Sequence, residues 1–153
     1  MECPNCHSEN EEGFMNWKKF WPAAILVYLA YAATTLVIHS VILGGYYMRP
    51  DVLSAIRPEA EINTYAWVRF LTMAVFAFFF TFIFAKGREG KGVMEGIRFG
   101  IYIALFTFFV ASFEQFIIYP IPYAVVWYWI IAGLVQSVLM GLIAALVYKT
   151  KAA

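Results

Sequence analysis

Four polar side chains interrupt the apolar stretches of this sequence, and they are the residues best suited to chemistry within a membrane. They are His39, Arg69, Glu114 and Gln136. Such a group is costly in hydrocarbon unless it faces the interior of a helix bundle and has a partner. At about 1.5 Å per helical residue, each lies about 20–25 Å from the lysine-rich side of the chain. The sequence therefore predicts one polar layer to which four helices contribute.

Two interpretations of this layer stay open. In the first, Glu114 binds a proton or a cation, and Arg69 or His39 tunes its pKa. In the second, Arg69 neutralises Glu114, the other two side chains complete the hydrogen bonds, and the network fixes the register between helices. The second is favoured, because residues about 5 Å inside the interface can also reach the headgroups. Both interpretations place Glu114 where its helix packs.

A second candidate site lies near the N-terminus, where Cys3, Cys6 and His7 form a C-x-x-C-H sequence. The spacing formally matches a c-type haem attachment site, but that chemistry belongs outside the cytoplasm, where we do not expect this tail. Alternatively the two thiolates and the imidazole bind zinc, with a fourth ligand from a second copy or a partner. A metal-free tail in a reducing cytoplasm is an equal alternative to zinc.

The elements that position these residues are four apolar segments. The chain has 153 residues, of which 63% are apolar and 14% charged, a composition outside the range of soluble proteins. Each segment exceeds the ~20 residues that cross a bilayer. We therefore predict an all-α integral membrane protein, with a cytoplasmic tail over 1–19 and a four-helix transmembrane bundle over 20–153. The predicted helices are 20–48, 59–85, 93–118 and 124–148.

Lysine and arginine predict the orientation, because basic loops resist translocation. One side of the predicted membrane domain carries most of them: Lys18, Lys19, Lys86, Arg88, Lys91, Arg98, Lys149 and Lys151. The other side carries Arg49 and Arg57, with Arg69 close to the membrane. Both termini should be cytoplasmic, and the protein should lie in the inner (plasma) membrane with lipid as its surroundings. The net charge of +1 gives no reason to expect a nucleic-acid partner.

Small residues recur at four-residue spacing on the last two predicted helices. Gly96 and Gly100 form part of one stripe, and Gly133, Ser137 and Gly141 form part of the other. Such stripes let two helix backbones approach closely in lipid. They predict a tight hairpin of the third and fourth helices, or alternatively a docking surface for another subunit.

The charged connection at 86–100 contains three glycines around Lys91, yet it is not a phosphate-binding loop. The lysine is followed by Gly92 rather than by Ser or Thr, and no strand precedes it. Glu95 lies four residues after Lys91 and three before Arg98, so we expect these two helical neighbours to satisfy its charge.

Three short motifs carry a family resemblance over residues 66 to 149. They are EGIRFG at the start of the third helix, YPIP before the fourth, and GLIAA followed by Tyr148 and Lys149. With these motifs the chain resembles a group of small, uncharacterised four-helix proteins of the bacterial inner membrane, a resemblance that implies no activity. Separately, the first ten residues resemble half of a zinc ribbon.

These observations predict a non-catalytic role rather than an enzyme, since the short loops leave little aqueous surface for an active site. The expected function is an accessory or assembly subunit of a larger membrane complex, bound to other subunits or to itself. One alternative is a small homo-oligomeric transporter or channel built around Glu114. Another is a metal or redox sensor that uses Cys3, Cys6 and His7.

Overall fold

A computed structural model describes residues 15–148, and every regular element among them is helical. Asn16 caps the first helix by accepting a hydrogen bond from the backbone N–H of Lys19. The helices are α1 Trp17–Leu36, π1 Val37–Ile42, α2 Gly44–Tyr47, α3 Pro50–Leu53, α4 Glu59–Thr64, α5 Ala66–Lys86, α6 Val93–Ala104, π2 Leu105–Phe109, α7 Val110–Ile118 and α8 Tyr123–Val147.

Four continuous helical stretches are long and apolar enough to cross a membrane. They are Trp17–Ile42, Ala66–Lys86, Val93–Ile118 and Tyr123–Val147. The first and third each contain a π-helical turn, π1 or π2, so their axes continue through a local widening. We call the end of the bundle at residues 86–93 the hinge end and the end at residues 119–122 the loop end.

The observed boundaries differ from the predicted ones at the loop end. The predicted helix 20–48 stops at Ile42, where Leu43 leaves the helix and donates its N–H to the carbonyl of Ile38. The predicted helix 59–85 is divided at Tyr65 into α4 and α5. Hydropathy did not reveal either break, because no charged residue and no proline stands directly beside Leu43 or Tyr65.

Close backbone contact joins α6 to α8. A Cβ atom on Gly96 would overlap the carbonyl of Gly141, and one on Gly100 would overlap the carbonyl of Ser137. Gly133 instead lies against the ring of Phe108 in π2. The two stripes therefore face each other within the chain, which is the hairpin arrangement rather than the free docking surface.

The hinge half of the bundle is filled by apolar side chains from all four long helices. Phe80 of α5 packs edge-on against Phe99 of α6, with 4.9 Å between ring centroids. The buried cluster around them consists of Val27, Ala77, Phe80, Phe84, Met140, Ala144 and Ala145. The core of this half is therefore apolar and closely packed.

Glu95 organises the hinge in a way that differs from the prediction. Its buried carboxylate accepts hydrogen bonds from the backbone N–H groups of Glu89 and Lys91, rather than pairing with neighbouring side chains. Lys91 and Arg98 form ion pairs with Glu89 instead. Because the loop folds back on the start of α6, Gly90 and Gly92 adopt positive φ angles of 78° and 73°, which favour glycine. The local helical pairing of Glu95 was therefore a wrong expectation.

Candidate functional site

A polar cavity of about 280 Å³ lies in the loop half of the bundle. Its lining comes from the first, third and fourth long helices: His39, Phe108, Ala111, Ser112, Gln115, Trp129 and Gln136. Ser112 and Gln136 are buried, whereas Ala111 and Gln115 are exposed. The cavity thus runs from the bundle surface into its interior.

Gln136 anchors the inner wall of this cavity. Its amide nitrogen donates to the hydroxyl oxygens of Thr35 at 2.9 Å and Thr34 at 3.2 Å, both on α1. Thr34 in turn donates to the carbonyl of Ala30 at 2.7 Å, so its proton is already used and its oxygen can accept. Gln136 is only 2% exposed, and these bonds satisfy both protons of its amide. They tie α8 to α1 at the depth of the cavity.

His39 belongs to a second hydrogen-bond chain. Its Nδ1 lies 2.7 Å from the hydroxyl of Tyr47, and that hydroxyl accepts from the indole N–H of Trp129 at 2.8 Å. An indole N–H can only donate, so the order Trp129 to Tyr47 to His39 satisfies all three groups. In this order a neutral His39 carries its proton on Nε2, the nitrogen that Tyr47 does not engage.

The protonation of Tyr47 supports this order. Burial raises the pKa of the Tyr47 phenol, and the hydrogen bond from Trp129 opposes that effect with a smaller lowering. The phenol therefore keeps its proton at neutral pH and can donate it to His39.

Both π-helical turns of the described chain contribute to the cavity wall. His39 comes from π1 and Phe108 comes from π2. A π turn replaces the regular i to i−4 hydrogen bonds with a wider ring, and such turns occur frequently at functional sites. The two irregular turns thus both contribute side chains to this cavity.

An aromatic layer forms the hinge-side wall of the cavity. Phe108 lines the cavity, and its ring packs against Phe76 of α5 at a centroid distance of 6.1 Å. Phe76 also contacts Tyr31 of α1 at 5.3 Å. Beyond this layer lies the apolar core of the hinge half. Aromatic side chains and the apolar core therefore lie between the cavity and the hinge end.

Only two of the four residues of the predicted polar layer lie together in the structure. His39 and Gln136 line the cavity, but Arg69 and Glu114 are both exposed. Within residues 15–148, neither of these two charges forms an ion pair, with the other or with any further residue. The predicted neutralisation of Glu114 by Arg69, and the prediction that Glu114 faces the packed side of its helix, are therefore wrong for this chain.

Helical geometry explains this outcome. The packed face of α6 follows Gly96 and Gly100, but π2 adds residues to one helical turn and so rotates α7 relative to α6. The prediction assumed a constant rotation of about 100° per residue along the third helix, and it therefore put Glu114 on the wrong face. The buried polar residue of α7 is instead Ser112. On α5, Arg69 lines an open groove with Arg57 and Tyr65.

Four residues of the site were missed by sequence reasoning: Tyr47, Ser112, Gln115 and Trp129. Trp129 and the aromatic residues beside it have the composition of an interfacial belt, which hid the hydrogen-bonding role of its indole. Tyr47 was assigned to the end of a straight first helix, and only the break at Leu43 brings its hydroxyl back to His39. Gln115 could have been predicted as a site residue, because it is a polar amide within an apolar segment.

The predicted Cys3, Cys6 and His7 site lies outside the described residues. Among residues 15–148, no group of three or more His, Cys, Asp or Glu side chains could hold a metal ion. The zinc and haem alternatives for the tail therefore stay predictions from the sequence.

Comparison of this chain with protein-family models, with curated proteins and with solved structures finds no match. The resemblance to small bacterial four-helix proteins accordingly stays a prediction.

Proposed function

We propose that this chain is a non-catalytic accessory or assembly subunit of a larger complex in the bacterial inner membrane. The observation that carries the proposal is Glu114, a carboxylate on the outer surface of the third membrane helix. It lies four residues before the end of α7 at Ile118, which is about 6 Å along the helix axis. An ionised group at that position calls for a headgroup or a protein partner.

Arg69 strengthens the proposal because it repeats the pattern on another helix. It is exposed, lies three residues after the start of α5 and forms no ion pair within the described chain. Two unsatisfied charges of opposite sign at one end of the bundle suit a partner with complementary charges, because complementary charges select partners and fix register.

The orientation in this proposal follows from the basic residues. Lys86, Arg88 and Lys91 favour a cytoplasmic hinge end, with both termini on the same side. Glu114 and Arg69 then lie in the outer half of the bilayer. In that position they are available to membrane partners rather than to cytoplasmic ones.

The packed hinge half counts against a channel through a single chain. A transport path would have to cross the layer formed by Tyr31, Phe76 and Phe108 and then the apolar core. A second candidate function, a homo-oligomeric transporter, is favoured by one observation: Arg69 and Glu114 carry opposite charges, and both are exposed without an ion pair in the described chain. Arg69 of one copy could therefore pair with Glu114 of another at an interface between copies.

The test is the behaviour of a Glu114→Gln variant in native membranes. We expect it to fold like the original chain while losing co-purifying proteins, because the amide cannot form the ion pair. The matched control is Glu59→Gln, which neutralises an exposed carboxylate in α4, outside the four long helices. Unchanged co-purification for Glu114→Gln, or an equal loss for both variants, would reject the proposal.

A further inference from the structure

We propose that the polar cavity of the loop half is a binding site for the head group of a neutral, lipid-soluble carbonyl ring compound of the quinone class. This inference concerns His39, Ser112, Gln115 and Trp129 and does not depend on which subunits the chain assembles with. It addresses binding only.

The chemistry of the lining selects against charged ligands. No Asp, Glu, Lys or Arg lines the cavity, so an ion would lose its hydration without gaining a counter-charge. The lining instead offers neutral groups that donate hydrogen bonds. The Nε2–H of His39 and the amide of Gln115 are not engaged by any described residue, and the hydroxyl of Ser112 lines the same cavity. Carbonyl oxygens are the acceptors that such donors fit.

The shape of the site selects a flat ring. Phe108 and Trp129 supply aromatic surfaces on two of the helices, and aromatic surfaces favour offset or edge-on contact with another ring. The volume of about 280 Å³ is slightly below the usual size of sites for whole drug-sized ligands. It therefore suits a head group whose apolar tail remains outside the cavity.

The location provides the route of entry. Ala111 and Gln115 lie at the mouth of the cavity and are exposed on the surface of a helix long and apolar enough to cross a membrane. A ligand dissolved in the bilayer would thus reach the cavity sideways, with its tail still in lipid.

The experiment measures saturable binding of radiolabelled ubiquinone-1 to the full chain in lipid nanodiscs, with empty nanodiscs as the background. We expect saturable binding above the background for the original chain. In Ala111→Trp the added indole fills the mouth of the cavity and removes no hydrogen bond, so binding should be lost. The matched control, Ala74→Trp, places the same side chain at an exposed position of α5 that does not line the cavity, and it should bind normally.

A second variant keeps the test decisive if Ala111→Trp fails to fold. Gln115→Leu removes an exposed amide at the mouth and should weaken binding about threefold to tenfold, the range of one net hydrogen bond. Its control is Ser40→Leu, also exposed and outside the lining. Binding no greater than in empty nanodiscs overturns the proposal. So does saturable binding that a folded Ala111→Trp or Gln115→Leu leaves unchanged.

Discussion

Gly96 on α6 and Gly141 on α8 meet backbone to backbone, so that a Cβ atom added to either would overlap the carbonyl oxygen of the other. Gly100 has the same relation to the carbonyl of Ser137, one helical turn further along α6. This contact holds the third and fourth long helices together. It brings Phe108 and Gln136 into the lining of one cavity, because both helices continue from this contact towards the loop end.

Replacing Gly141 by alanine should therefore destabilise the bundle. The added methyl group forces the backbones apart, and overpacking of this kind costs about 1–3 kcal/mol. That cost exceeds the gain of up to about 1 kcal/mol that alanine brings to a helix. The measurement is the thermal unfolding midpoint in detergent. The control, Gly45→Ala, adds a methyl group that meets nothing within 4 Å. Equal midpoints for the two variants would show that the contact does not hold the hairpin.

Gln136→Leu should reveal how much the amide contributes to the joining of α8 to α1. The variant keeps the volume approximately but removes the donors to Thr34 and Thr35. Hydrogen bonds between membrane helices average about 0.6 kcal/mol and reach about 1.7 kcal/mol, so we expect a loss of stability within that range. Gln115→Leu serves as control because its side-chain amide forms no hydrogen bond with another described residue. If Gln136→Leu is as stable as the original chain, the amide does not fix this pair of helices.

Tyr47→Phe should break the chain of hydrogen bonds from Trp129 to His39. The variant leaves the indole N–H and Nδ1 without their shared partner. We expect a loss of about 1–2 kcal/mol and an upfield shift of the Trp129 indole proton in the NMR spectrum. Tyr46→Phe is the matched control, since Tyr46 packs edge-on against Tyr128 and its hydroxyl takes no part in this chain. An unmoved indole resonance in Tyr47→Phe would contradict the assignment.

The hinge should make stability depend on pH in the acidic range. Hydrogen bonds from Lys91 and Arg98, together with their charges, hold the pKa of Glu89 below its ordinary value near 4.5. Because the folded-state pKa is the lower one, this stabilisation is complete above the ordinary pKa and is lost as the pH falls through the folded-state value. Unfolding midpoints measured from about pH 6 downwards should fall less steeply in Glu89→Gln. A parallel decline in both proteins would rule out this contribution.

Salt provides an independent check on the same pairs. The side chains of Glu89, Lys91 and Arg98 are about half exposed, so ions in solution screen the attraction between their charges. Added sodium chloride should therefore reduce the difference between Glu89→Gln and the original chain. A difference that persists in high salt would point to lost packing instead of lost charge.

Much of the fold could be predicted from the sequence, because it depends on long-range averages of hydropathy. Four apolar helices and the meeting of two small-residue stripes follow from composition and spacing alone. The site could not be predicted to the same extent, because it depends on local departures from regular helix. The π turns at His39 and Phe108 alter the direction of every side chain that follows them. Gln136, on a regular helix, lies where spacing placed it, whereas Glu114, which follows π2, does not.

The exposed position of Glu114 leads to a prediction about assembly. If a partner subunit satisfies this carboxylate, truncating the charge should weaken association about tenfold or more, since breaking a buried charge pair costs about 2–5 kcal/mol. The measurement compares the amounts of co-purifying protein recovered with Glu114→Gln and with Glu59→Gln. A loss confined to Glu114→Gln would place the interface on α7.

The most direct test of the subunit proposal is the native mass of the tagged chain, extracted in mild detergent from its own membranes, with identification of the proteins that migrate with it. The proposal predicts a species much larger than the 17.5 kDa chain that contains other membrane proteins in fixed proportion. A species that contains this chain alone would contradict it. If that species were a multiple of the chain's own mass, the homo-oligomeric transporter would become the better account.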